Sequence, residues 1–399
     1  MNIKTGKELL NFIEDRTKNK YERKYVNHFY KKIKNEKFSY VFYGIRRIGK
    51  TTMCFQILNK FISNKELKID EIIFLDIELE LSLGNKSEII KQKFFELFKS
   101  NKFKLVFFDE IQLLENWDMF IKSLNDHFPN VKIISSGSSS YNLKEKESGL
   151  GRFIKVNIQP LMLNEFISIR KEEIKDFSKK EIIHFYLKET SFFELWSIKD
   201  EDFRKRYMLD ILEKTIIYDL NFIVNRSFTP SYMKQIIREI ALSETGELNF
   251  EKIRSKLSIP KTTFYEYLNI MENIGVIRIL ERYNGNLILS KRGPNKYYLS
   301  LPFFYNLYFN LDHTFHIGKI YESLFLMHLN YKYNLENLKR KIFYIKDKEE
   351  IDFYIPSENI GFELKSKNIE FNNLYLRLSS SGLVNLKTLN IDDLFDFII

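Results

Sequence analysis

The stretch Gly44-Ile-Arg-Arg-Ile-Gly49-Lys50-Thr51 constrains this chain more than any other segment of its length. It has the pattern G-x-x-x-x-G-K-[ST]. An apolar run, Phe38–Tyr43 (FSYVFY), precedes it, and Thr51–Ile62 (TTMCFQILNKFI) follows with apolar residues at helical spacing. Strand, glycine-bounded loop and helix in that order turn main-chain N–H groups inward, and the helix start adds its positive end. Such a cradle suits a row of phosphates. Lys50 is placed to reach the β- and γ-phosphates of ATP, and Thr51 to offer a hydroxyl to Mg²⁺. The residues expected around the nucleotide are Gly44, Ile45, Arg46, Arg47, Ile48, Gly49, Lys50, Thr51 and Thr52. The rival reading is an ordinary Gly-bounded turn, and the flanking strand and helix count against it.

Further apolar runs alternate with helical ones. Ile72–Ile77, Leu105–Phe108 and Val131–Ser135 read as strands, and Ser87–Phe98 and Trp117–Asp126 as helices. Residues 1–36 read as helical and Lys-rich. This alternation implies an α/β fold, a parallel sheet with helices on both faces. The run Leu105–Phe108 ends in Asp109-Glu110. Beside the phosphate loop, Asp109 would hold Mg²⁺ through water, and Glu110 would orient and deprotonate an attacking water. Acidic residues also end strands at plain turns, which is the rival reading. Ser136, after the fourth strand, is expected to touch the γ-phosphate. Arg152, after Gly151, is expected to act as a charge-stabilising finger, with a surface Arg as the alternative.

A length of 399 residues is too great for one ordinary core. The expected division is 1–165, 166–300 and 301–399. With 44% hydrophobic and 29% charged residues the chain is globular rather than disordered. The net charge of +10 suits nucleic acid without requiring it, since Lys-rich solvated faces give the same balance. The single cysteine, Cys54, excludes an internal disulfide and reads as a small core residue. No run is long enough to span a bilayer and the N-terminus lacks a signal-peptide pattern, so a soluble, cytoplasmic protein is expected.

From about 164 to 275 the pattern is helical. Leu248–Leu257, a turn at Ser258–Pro260, and Lys261–Ile274 closed by Gly275 read as a helix-turn-helix. A hairpin of Ile277–Tyr283 and Leu287–Ser290 around Gly285 would be its wing. If it reads DNA, Lys261, Thr262, Thr263 and Tyr265 face the duplex, and Lys291 and Arg292 add wing contacts. The rival is a protein-packing module, which Glu266 on the second helix favours.

The last part mixes a helix, Gly318–Tyr331, with short strands at Lys341–Ile345, Glu350–Ile355 and Gly361–Leu364. Pairing of the last two would bring Asp352 toward Glu363, with Lys365 on the face of Glu363. Two carboxylates holding a divalent metal, with a lysine to orient water, is what nuclease chemistry needs. An exposed strand pair with alternating charge is the rival reading. His313 and His316 lack further ligands at zinc spacing.

Two resemblances follow. Asp352…Glu363-x-Lys365 resembles the D…E-x-K motif of restriction-type nucleases. That maps Asp352, Glu363 and Lys365 onto metal and catalytic positions and Glu322 onto an accessory acid. Gly44-Ile-Arg-Arg-Ile-Gly-Lys-Thr-Thr, Phe108-Asp-Glu-Ile-Gln112, Ser136-Gly-Ser-Ser-Ser140 and Gly151-Arg152 together resemble prokaryotic AAA-type ATPases carrying a C-terminal domain of unknown function. This resemblance implies an AAA-type P-loop core, a helical and winged-helix middle and a restriction-nuclease-like α/β end. The expected function is Mg-ATP hydrolysis coupled to cleavage or remodelling of DNA. The alternative is a slow nucleotide-dependent switch with an inactive nuclease-like domain.

Overall fold

The computed structural model describes residues 2–99, 102–138, 153–223, 229–243, 246–283, 294–311, 316–333, 342–346, 350–365 and 385–399. The chain divides into two units. One comprises the chain up to Pro160 with the short stretch 221–225, the other the remainder.

The first unit runs α1 (Gly6–Thr17), α2 (Lys24–Asn35), β1 (Ser39–Tyr43), α3 (Lys50–Ser63), β2 (Ile72–Asp76), α4 (Ile77–Ser82), α5 (Ser87–Phe98), β3 (Leu105–Asp109), α6 (Trp117–His127), β4 (Lys132–Gly137) and β5 (Phe153–Asn157). The strand order is β2-β3-β4-β1-β5, and every pair is parallel. All five residues of β1 are buried. A strand covered on both faces needs such a continuous apolar run, which is why FSYVFY does not alternate. On one face Phe55 of α3 meets Phe12, Phe74 and Phe107 with ring centroids 5.4, 4.9 and 5.2 Å away. On the other, Phe94, Phe108, Trp117 and Phe120 pack together. The outer strand β2 is partnered by the N-terminal segment. Lys4 and Phe74 exchange both main-chain hydrogen bonds, each at 3.1 Å.

Four of these strands match the sequence expectation. The fifth, β5, goes unread. Its sequence, FIKVN, buries only its first residue fully, so it lacks the apolar run that marks the others.

The second unit runs α7 (Leu163–Ile169), α8 (Lys179–Glu189), α9 (Glu201–Ile223), α10 (Pro230–Leu242), α11 (Phe250–Leu257), α12 (Lys261–Asn273), β6 (Ile277–Arg282), β7 (Lys296–Leu299), α13 (Ile317–Lys332), β8 (Phe343–Lys346), β9 (Glu350–Ile355), β10 (Ile360–Leu364), β11 (Asn385–Leu389) and α14 (Ile391–Ile398). Its sheet has the order β11-β10-β9-β8-β6-β7. The pairs β8–β9, β9–β10 and β6–β7 are antiparallel, and β10–β11 and β6–β8 are parallel. Phe325 of α13 ties this sheet to α14 through Phe353, Phe362 and Phe397, at 5.2–5.5 Å. The antiparallel partner of β6 is β7, which the sequence reading does not foresee. Gly285, Leu287–Ser290, Lys291 and Arg292 lie outside the described residues. No described helix is long and apolar enough to cross a membrane.

Candidate nucleotide site and a second polar cluster

The loop between β1 and α3 makes three demands on the backbone. Gly44 has φ +151°, and a Cβ there would meet the Ile158 carbonyl oxygen at 2.5 Å. Arg47 adopts φ +67°, and Gly49, immediately before α3, adopts φ +89°. Only glycine accepts the first and third without strain. Ile48 is buried and anchors the loop. Lys50 is 6% exposed, and its Nζ donates to the carbonyl oxygens of Gly44 (2.9 Å) and Ile45 (2.8 Å).

Parallel pairing brings the end of β3 beside this loop. Thr51 Oγ1 donates to Asp109 Oδ1 at 3.0 Å, and Ser136 Oγ donates to the same oxygen. Burial pushes the Asp109 carboxyl up to about 7. Repulsion from Glu110 adds to the rise, and the Ser136 and Thr51 hydroxyls oppose it. Glu110 has φ +51°, a left-handed turn that aims its side chain away from the strand direction. Gln112 Nε2 reaches Glu110 Oε2 at 2.5 Å and Ser138 Oγ at 3.1 Å, and Ser138 Oγ donates to Glu110 Oε2 at 3.0 Å. Nearby, burial and the Glu110 charge raise the Glu78 carboxyl, with Arg46 pulling it down. Cys54 is fully buried behind the loop, and burial pushes its thiol up, as befits a core residue. Arg152 lies outside the described residues.

In the second unit, α11 and α12 follow one another across the turn at Ser258–Pro260, at the positions the sequence predicts for two helices. Asn249 caps α11 by accepting from Lys252 N–H at 3.0 Å. Ser258 at φ +54° ends it, and Pro260 starts α12. Phe250 and Phe264 lock the two helices edge to face at 5.5 Å. Lys261, Thr262, Tyr265 and Glu266 are exposed, and Thr263 is half-buried.

The D…E-x-K residues meet where β9 and β10 pair, because the antiparallel register continues from Phe353 opposite Phe362 to Asp352 opposite Glu363. Asp352 Oδ2 accepts the Leu364 N–H at 2.8 Å, and its Oδ1 lies 3.7 Å from Lys296 Nζ. Lys296 also pairs with Glu350. Glu322 of α13 accepts from the Tyr298 hydroxyl at 2.6 Å. Burial and the Glu322 charge push the Asp352 carboxyl up, against Lys296. Burial pulls the Lys296 ammonium down, but Glu322, Asp352 and Glu350 outweigh it and hold it above its ordinary value. Glu363 also has Lys365 Nζ 3.4 Å away. Lys365 and Glu322 line a pocket of about 300 Å³ together with Lys180, His184 and Tyr321.

Residues 36–167 match the family model of an AAA domain, and residues 193–310 match a domain of unknown function (DUF8612). The uncharacterized protein MJ1544 of Methanocaldococcus jannaschii is 28% identical over 337 residues, spanning 80% of this chain and 72% of that protein. A second relative in that organism, the uncharacterized protein MJ1637, is 27% identical over 265 residues. The match spans 62% of this chain but only 54% of the relative. Among solved structures, a Walker-type ATPase of Pyrococcus abyssi aligns with 72% of this chain and 96% of its own, at 19% identity and a TM-score of 0.46. The family match covers the parallel sheet and its phosphate loop. The first unit has the α/β architecture of a P-loop ATPase core.

Within this first unit, sequence reasoning includes Gln112 in the motif Phe108–Gln112 but gives it no role of its own. The signal was Gln112 two residues after the acidic pair, the spacing at which a left-handed Glu110 folds the chain back on itself. In the second unit it misses Lys296, which stands 56 residues from Asp352 in the chain and is joined to it only by the sheet.

Proposed function

We propose that this chain binds Mg-ATP at Gly44–Thr52 and hydrolyses it. The observation that carries this reading is the convergence of two hydroxyls, Thr51 and Ser136, on one oxygen of Asp109 beside the phosphate loop. A hydroxyl and a carboxylate oxygen 3.0 Å apart are the hard oxygen donors that Mg²⁺ takes in such sites. When bound with nucleotide, the ion neutralises charge on the phosphates. Lys50 exchanges the Gly44 and Ile45 carbonyls for phosphate oxygens. Glu110, oriented by Gln112 and Ser138, accepts the proton of the attacking water. Ser136 senses the γ-phosphate, and Arg152 is assigned the stabilising finger.

We further propose that the second unit engages DNA. The helix-turn-helix presents Lys261, Thr262 and Tyr265 to solvent. The order β11-β10-β9-β8 with α13 and α14 supports a nuclease-like fold, since Glu322, Asp352 and Glu363-x-Lys365 fall on α13, β9 and the end of β10. The deciding experiment measures ATP turnover with and without duplex DNA for wild type and Lys50→Ala. Turnover that Lys50→Ala leaves intact would end the ATPase reading. Turnover indifferent to DNA would end the DNA reading. A nucleotide switch with an inactive nuclease-like domain is the second reading, favoured by the ion pair Asp352 makes with Lys296.

A further inference from the structure

We infer that Lys296 is an internal cation standing where a nuclease-like site would hold a divalent metal ion, so that the C-terminal sheet engages its ligand without metal chemistry. The inference rests on the nuclease-like reading of that sheet.

The placement begins in β7. Lys296 and Tyr298 are two residues apart, so a strand sends both side chains to one face. From there Lys296 reaches Glu350 and Asp352 on β9, and Tyr298 reaches Glu322 on α13. Lys296 is 4% exposed at its side chain, against 14% for Asp352 and 27% for Glu350. Its Nζ lies over the Tyr344 ring, 5.4 Å from the centroid. A second ammonium, Lys346, lies 3.6 Å from Glu350 and pairs with Glu247.

The donor set does not fit a divalent ion. A metal needs carboxylate lone pairs that converge on one open point. Here one Asp352 oxygen accepts a main-chain N–H, the other faces an ammonium, and Glu322 accepts a phenol. Among the described residues no group of three or more His, Cys, Asp or Glu side chains could hold a metal. Glu363, the second carboxylate of the motif and the residue opposite Asp352 in the β9–β10 register, has an ammonium of its own, Lys365, 3.4 Å away. A fixed ammonium between Glu350 and Asp352 supplies the neutralising charge that the carboxylates would otherwise seek from a metal, and it repels one. Loss of Lys296 would leave those carboxylates facing one another and make them a cation site.

The test is Mn²⁺ binding to the full chain, without nucleotide, followed by calorimetry and by electron paramagnetic resonance. An Asp109→Asn background keeps the phosphate loop from contributing. The expected result is no Asp352-dependent Mn²⁺ site in the parent, and at least tenfold tighter Mn²⁺ binding in Lys296→Met that Asp352→Asn abolishes. Should Lys296→Met not fold, Lys296→Met with Glu350→Gln preserves the charge balance and carries the same expectation. A parent that binds Mn²⁺ and loses it in Asp352→Asn overturns the inference while leaving the nuclease-like reading standing. Absence of Mn²⁺ binding in the parent and in the Lys296 variants overturns both. DNA binding and ATP turnover are separate readouts and do not bear on the result.

Discussion

Gln112 Nε2 sits 2.5 Å from Glu110 Oε2 and, with Ser138, holds that carboxylate in place. On the proposed reading Glu110 is the general base, and such a group must be aimed before it is basic. Glu110→Gln is therefore expected to keep ATP affinity and lower turnover by roughly 10²–10³. Gln112→Ala removes one hydrogen bond to a charged group and is expected to lower kcat about tenfold, with ATP affinity changed less than twofold. Steady-state turnover and equilibrium nucleotide binding, measured side by side, check both. A Gln112→Ala variant that loses affinity instead would show that the residue holds the loop, not the base.

Asp109 gives a pH dependence with a definite sign. Its carboxyl is pushed up to about 7 in the folded chain, above its ordinary value near 4. The folded state thus holds a proton that the unfolded state releases between those values, and stability falls as pH rises through that window. Without nucleotide, Asp109→Asn is expected to be more stable than wild type at pH 8, on the order of 1–3 kcal/mol, and equal to it at pH 4. Urea melts at the two pH values decide. The same variant is expected to lose Mg-dependent ATP binding.

The exposed start of α12 makes a prediction about salt. Lys261→Glu is expected to weaken duplex binding roughly tenfold at low salt and to flatten the plot of log affinity against log salt by about one to two units. Fluorescence anisotropy over a salt series measures this. An unchanged slope would assign α12 to protein packing.

Phe55 lies fully buried between α1, β2 and β3. Truncating it opens a cavity directly behind the phosphate loop. Phe55→Ala is expected to destabilise the first unit by roughly 3–5 kcal/mol, read as a lower urea midpoint.

The first unit's parallel sheet and phosphate loop were legible because they are written in contiguous residues. Gly44–Thr51 and Asp109-Glu110 each carry their geometry locally, through left-handed turns and strand ends that sequence pattern records. Ser136, one strand away, is brought against Asp109. What stayed hidden depends on register. β5 pairs with β1 from more than a hundred residues downstream, and its half-covered sequence gives no continuous apolar run. Lys296 looks like any lysine at a strand start until β7, β6, β8 and β9 are laid side by side. Motif reading could pair Asp352 with Glu363-x-Lys365, but no local rule says that a distant ammonium arrives first.

The short bridge from Lys4 to Phe74 has a consequence for anyone shortening this molecule. β2 is the rim of the first sheet, and its main chain is satisfied there by residues that precede the first helix. Trimming those few residues would bare the Phe74 amide and carbonyl in the middle of an apolar rim strand, a place for another copy to pair. Self-association that grows with concentration is the expected penalty, even though no catalytic group has been touched.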